Sequence, residues 1–110
     1  MERVVRNMSR FEPIEVRTIL KRGKRVLKTP TTDIIVSPQV HEYGRILVIT
    51  PKRIGKASQR NKVRRRIKAI FFEQKFYERG VDCIAIIKKE GIETPFDELK
   101  TTFATAFAKL

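Results

Sequence analysis

An α/β fold, a mixed sheet with packed helices, is what this sequence predicts, on three observations. Two short runs, Ile46 to Ile49 and Ile84 to Ile87, are wholly aliphatic, as expected of strands covered on both faces. Between them Val63, Ile67, Ile70 and Phe71 recur at helical spacing, the pattern of a helix laid on a sheet. After the second run Phe96, Leu99, Phe103, Phe107 and Leu110 trace another helical stripe. With 110 residues, 41% of them hydrophobic, the chain can build one modest core, so residues 1–110 are expected to form a single domain.

The first predicted helix runs from Pro13 to Arg22, with Val16, Ile19 and Leu20 on one face and Gly23 placed to end it. Ser9 and Glu12 match a capping box, but that start would bury Pro13 inside the helix, so Pro13 is expected as its first residue. A basic stretch follows Gly23. Thr31 to Val36 is β-branched and predicts a strand, closed by Ser37 and Pro38. A loop, Gln39 to Gly44, leads to a second strand, Arg45 to Thr50. Pro51 and Gly55 punctuate a connector before a long helix, predicted from Ala57 to Tyr77 and ended by Gly80. Val81 to Ile87 is the third predicted strand. The closing helix is predicted to have Thr94 as N-cap, Pro95 as first residue and Asp97 three after the cap.

Charge narrows the function classes. Twenty-five Lys and Arg against 12 Asp and Glu give a formal charge of +13, more than solubility requires, so a polyanionic partner is expected. No acidic residue occurs between Glu42 and Glu73, whereas Arg45, Lys52, Arg53, Lys56, Arg60, Lys62, Arg64, Arg65, Arg66 and Lys68 all fall there. A merely solvated helix mixes both signs, because like charges at i,i+4 weaken it. A membrane span is not expected, since each aliphatic run is far below the roughly 20 residues needed. Met1 to Arg10 has no apolar signal region, so a cytoplasmic protein is expected. A lone Cys83 and a lone His41 leave structural zinc without a ligand set.

On the long helix Arg60, Arg64 and Lys68 step along one edge of the apolar arc, with Asn61 and Arg65 beside them. Arginine offers a planar fork of donors to phosphate, and Asn can both donate and accept toward a sugar or base edge. Lys52, Arg53 and Lys56 lie on the connector, where free N–H groups at the helix start add to the attraction for anions. Lys62 and Arg66 project further round. The aromatic residues of the last helix are expected in the core rather than as a base-stacking platform.

Lys52, Arg53, Gly55, Ala57, Arg60, Asn61, Arg64, Arg65, Ile67, Lys68 and Phe71 reproduce the Arg-Asn-Arg signature of the bacterial ribonuclease P protein subunit family. The order of elements from about Phe11 to Leu110 is similar to that family too. The resemblance implies an α+β two-layer sandwich with a left-handed β-α-β crossover, as in the ribosomal protein S5 domain 2-like fold, against the general right-handed preference. It implies partnership with a catalytic RNA and with precursor tRNA, whose 5′ leader the complex removes by hydrolysis. Magnesium, held mainly by the RNA, would be the cofactor, and the protein would supply no catalytic group. By the same resemblance Lys52, Arg53, Lys56, Arg60, Asn61, Arg64, Arg65 and Lys68 would face the catalytic RNA. Val16, Leu20, Ile34 and Ile35 would line a leader cleft between the first helix and the sheet. The family often has aromatic residues there and this chain does not; Pro51 also stands where the family usually has Ser.

No catalytic constellation is visible within the chain itself. Asp33, Asp82 and Asp97 fall on separate elements, His41 is in a loop, Cys83 reads as a small buried hydrophobe, and the five glycines are isolated. A ribosomal or other structural RNA-binding protein is the alternative reading. Duplex DNA is not expected as partner, because the apolar arc of the basic helix is taken up by the sheet and no dimer seam is evident. A membrane-surface role is not expected either.

Overall fold

The apolar runs become the middle of a sheet. In a computed structural model, which describes residues 9–110, strands β1 (Lys24–Lys28), β2 (Thr32–Pro38), β3 (Ile46–Ile49) and β4 (Val81–Ile87) are ordered β1-β2-β4-β3. The β1/β2 and β2/β4 pairs are antiparallel, whereas β3 and β4 are parallel neighbours. A parallel pair needs a crossover, and the helix between its strands supplies it. The helices are α1 (Pro13–Arg22), α2 (Ala57–Glu73) and α3 (Phe96–Phe107).

The pleat sends alternate residues to opposite faces. Ile34, Val36, Ile46, Val48, Cys83, Ala85 and Ile87 join Val63, Ile67, Ile70, Phe71, Leu99, Phe103 and Phe107 in the main core, beneath α2 and α3. This is the two-layer body. On the other face Ile35 and Ile84 meet Ile19 of α1 in a smaller cluster, with Phe11, Val16, Leu47, Ile49 and Ile86 partly buried around it. Helices thus lie on both faces, but α1 covers only part of its own.

β1 is an addition to the strands expected from sequence. Its register shifts between Arg25 and Leu27, and this bulge breaks the polar and apolar alternation, so Lys24 to Lys28 looks like a basic connector. The long helix stops at Glu73, short of Tyr77. Lys75 adopts the left-handed region (φ 55°) and Phe76–Glu78 form a 3₁₀ turn. That turn stacks Phe76 on Phe107 (4.1 Å between centroids, 7° between planes) and Tyr77 on Phe72 (5.7 Å). One left-handed residue costs about 1–2 kcal/mol. Burying Phe76 alone returns about as much or more, before the ring pairing is counted.

α1 begins and ends where expected, but its cap is local: Glu12 N–H donates to Glu15 Oε1 at 2.8 Å, and Ser9 is not the N-cap. α3 starts one residue later than predicted. Thr94 is not its N-cap, because the buried hydroxyl donates to the Gly91 carbonyl at 2.7 Å and Pro95 takes the cap position. Leu110 leaves the apolar stripe: it follows the helix end and is 43% exposed. Gly44 is required by close approach, since a Cβ there would collide with the Val81 carbonyl oxygen. No helix among the described residues is long and apolar enough to cross a membrane.

Candidate nucleic-acid interface

The connector after β3 and the first turns of α2 carry the basic surface. Lys52–Ile54 form a 3₁₀ turn that buries Ile54 and leaves Lys52 and Arg53 exposed. Gln59 Oε1 accepts from the Lys56 N–H at 2.9 Å and fixes the start of α2. The first helical bond runs from Arg60 N–H to the Lys56 carbonyl at 3.0 Å, so the N–H groups of Ala57, Ser58 and Gln59 precede the ladder at the positive end of the helix.

The structure brings together the eight residues assigned to this surface, but not in equal roles. Arg60 uses Nε on the Gly55 carbonyl (3.2 Å) and keeps its terminal nitrogens for another partner. Arg64 is turned inward: one nitrogen donates to Asn61 Oδ1 at 2.8 Å and the other to the hydroxyl of buried Thr50. It therefore pins α2 to the end of β3. This bond takes one of the two lone pairs of the Asn61 amide oxygen, on a residue that is itself exposed. Arg65 is exposed and Lys68 partly so. Among the described residues, none of the eight is ion-paired to a carboxylate. Arg66 points away, to the Thr94 carbonyl at 3.0 Å.

The expected cleft residues divide between the two faces. Val16, Leu20 and Ile35 lie on the α1 side, where Leu20 is exposed and Val16 half-buried, but Ile35 is buried against Ile19 and Ile84 and offers the cleft no open surface. Ile34 does not line a cleft. It is fully buried in the main core beneath α2 and α3, because consecutive strand residues point to opposite faces. The other wall comes from residues outside that set: Leu47 and Ile49 of β3 and Ile86 of β4, all partly exposed beside Ile84. The aliphatic runs contained this wall, but their phase was not readable without the register. At one end of this open face a recess of about 420 Å³ is lined by Pro51, Arg53, Ile54, Ile86, Ile87, Lys88 and Lys89. The Lys88 ammonium is held by Asp33 (Nζ to Oδ1 2.9 Å) and by the Thr29 carbonyl (2.7 Å), so Arg53 and Lys89 are the exposed cations of the recess. A Lys-Lys pair directly after a strand was the available signal for it.

At the opposite end stands Arg45, whose charge does not belong to the exposed surface. Its guanidinium is buried, 2.7 Å from Asp82 Oδ2 and 2.8 Å from Glu15 Oε2. Burial opposes its charge, but the bonds it donates to Glu15 and Asp82 outweigh that and hold its pKa above the ordinary arginine value. The hydrogen bond from Arg45 in turn lowers Glu15 from 4.5 to about 2, helped by the Glu12 N–H. A depressed carboxylate stabilises the fold fully above the unfolded value and loses that contribution as pH falls through the folded one. With the Glu15 side chain 24% exposed, solvent screening leaves about 2 kcal/mol, lost between roughly pH 4.5 and 2. Urea midpoints for the wild type and Glu15→Gln are expected to differ at pH 6, to approach each other as pH falls below about 4.5, and to converge only below about pH 2. Cys83 is fully buried, and burial pushes its thiol pKa well up, so it behaves as core. His41 is exposed in the loop. Asp82 is taken by Arg45, and Asp33 by Arg25 and Lys88.

Solved structures similar to this chain share its fold. One is the Staphylococcus aureus RNase P protein, with 16% identity over 93% of this chain and 94% of that one and a TM-score of 0.79. Another is the RNase P protein from Thermotoga maritima, with 21% identity over 93% of this chain and 97% of that one and a TM-score of 0.77. Among curated proteins no sequence matches. The model of the family Ribonuclease P matches residues 11–110, through the basic helix and every strand, and the chain belongs to the ribonuclease P protein family.

Proposed function

We propose that this chain is the protein subunit of a cytoplasmic ribonuclease P, assembling with a catalytic RNA and holding the 5′ leader of precursor tRNA. The observation that carries the reading is the exposed basic ridge on α2, to which no carboxylate among the described residues is paired, next to a half-covered apolar sheet face that ends in a recess bearing the exposed Arg53 and Lys89. A ridge of forked donors takes the phosphates of a structured RNA. An open aliphatic groove with cations at one end takes a single strand, bases on the apolar wall and phosphates at the charged end. Val16, Leu47, Ile49 and Ile86 give aliphatic contact in place of ring stacking.

Among the described residues no three His, Cys, Asp or Glu side chains gather into a metal ligand set. Magnesium bound by the RNA supplies the activation of water, while the protein's contribution is to bind and orient the two RNAs.

Cleavage of labelled precursor tRNA at low magnesium by a bacterial ribonuclease P RNA, with and without this protein, tests the reading. Stimulated cleavage at the mature 5′ end only with both components is expected. Activity from the protein alone would place the chemistry in the chain instead. No stimulation of several such RNAs would favour a ribosomal or other structural role.

A further inference from the structure

α1 is held over the sheet by little apolar packing. Of its ten residues Ile19 alone is buried, and one such side chain contributes about 1.5–3 kcal/mol. A second anchor lies one turn earlier. Arg45, standing just before β3, donates to Glu15 Oε1 (3.1 Å) and Oε2 (2.8 Å) on the first turn of α1. The same guanidinium donates to Asp82 Oδ1 (3.3 Å) and Oδ2 (2.7 Å) on β4, and to the Arg10 carbonyl (2.7 Å). The Arg45 N–H also donates to Asp82 Oδ1 at 3.0 Å, and the Phe11 ring covers the guanidinium at 4.2 Å. The planar fork of arginine is what lets one side chain bond two carboxylates on different elements.

These two anchors lie along one line of α1, and the groove opens beside it toward Leu47, Ile49 and Ile86. We infer that the Glu15–Arg45–Asp82 clamp sets the height and angle of α1 over the sheet, and thereby the width of the groove, making Glu15 and Arg45 positioning residues for a single-stranded leader. The inference rests on the groove reading above. Glu15 faces no phosphate in this role; it acts by holding the helix wall. Lysine at position 45 keeps the charge but cannot span Glu15 and Asp82 in the same way.

The test uses the assembled complex of this chain with a ribonuclease P RNA, and compares the affinity for precursor tRNA with that for leaderless tRNA. Glu15→Ala is expected to lower the preference for the leader-bearing substrate roughly tenfold, by displacing one wall of the groove. Glu15→Gln, which retains an acceptor, should recover part of it, and Arg45→Lys should resemble Glu15→Ala. Affinity for the catalytic RNA should stay within about twofold in all three, since the ridge on α2 is untouched. A purely structural role would instead lower assembly and both substrate affinities together, and that result would overturn the clamp. Val16→Asp, a direct change in the groove wall, separates the two ideas. If it lowers leader preference while Glu15→Ala does not, the groove stands and the clamp falls. If neither changes it, the groove reading fails as well.

Discussion

Arg45→Ala is expected to destabilise the protein by about 3–5 kcal/mol, because it leaves the buried carboxylate of Asp82 without its cation. The Asp82 side chain is only 2% exposed and receives two side-chain bonds from Arg45. Glu15, at 24% exposed, can rehydrate and adds less to the loss. Urea unfolding measures the effect directly. Replacing both members, Arg45→Met with Asp82→Leu, should recover part of the stability, since the stranded charge is gone but the buried Arg45 N–H loses its Asp82 Oδ1 acceptor. A loss in the double variant as large as in Arg45→Ala would show that shape, rather than the stranded charge, sets the cost.

Arg60→Ala and Arg65→Ala are expected to weaken assembly with the catalytic RNA by roughly tenfold or more each near 0.1 M salt, as each removes a charge-assisted bond to phosphate. The plot of log affinity against log salt should flatten by about 0.7–0.9 for each phosphate that is no longer neutralised. Arg64→Ala is expected to behave differently. Both of its terminal nitrogens are bonded within the chain, to Asn61 and Thr50, so its removal should lower stability and leave the salt slope nearly unchanged. Binding measured across salt concentrations distinguishes the two kinds of arginine. An unchanged slope in Arg60→Ala and Arg65→Ala would remove those residues from the RNA surface.

The contrast between Arg64 and its neighbours marks where sequence reading stops. Helical spacing placed Arg60, Asn61, Arg64, Arg65 and Lys68 on one flank, and they share it. Spacing cannot say that the end of β3 brings the Thr50 hydroxyl within reach of one of them. Arg45 is the larger case. By composition it is one of ten cations in a stretch without acids, yet Asp82, 37 residues away, and Glu15, 30 residues away, neutralise it. Such pairs join elements remote in the chain, and no local pattern encodes them.

Local physics sufficed for what is periodic or capped: α1 from Pro13 to Arg22, the arc of Val63, Ile67, Ile70 and Phe71, strand β4, and the concentration of charge that points to a polyanion. Each of these depends on residues within one or two turns or one strand, so the sequence by itself determined them. The tertiary structure decided which side of the sheet each aliphatic residue faces. It put Ile34 in the main core, buried Ile35 on the opposite face under Ile19, and left Leu47, Ile49 and Ile86 at the groove, because strand phase is set by pairing partners across the sheet. It also decided that α2 yields at Lys75 to seat Phe76 on Phe107, and that Arg45 serves the fold, since burial and long-range charge pairing exist only once distant elements have met.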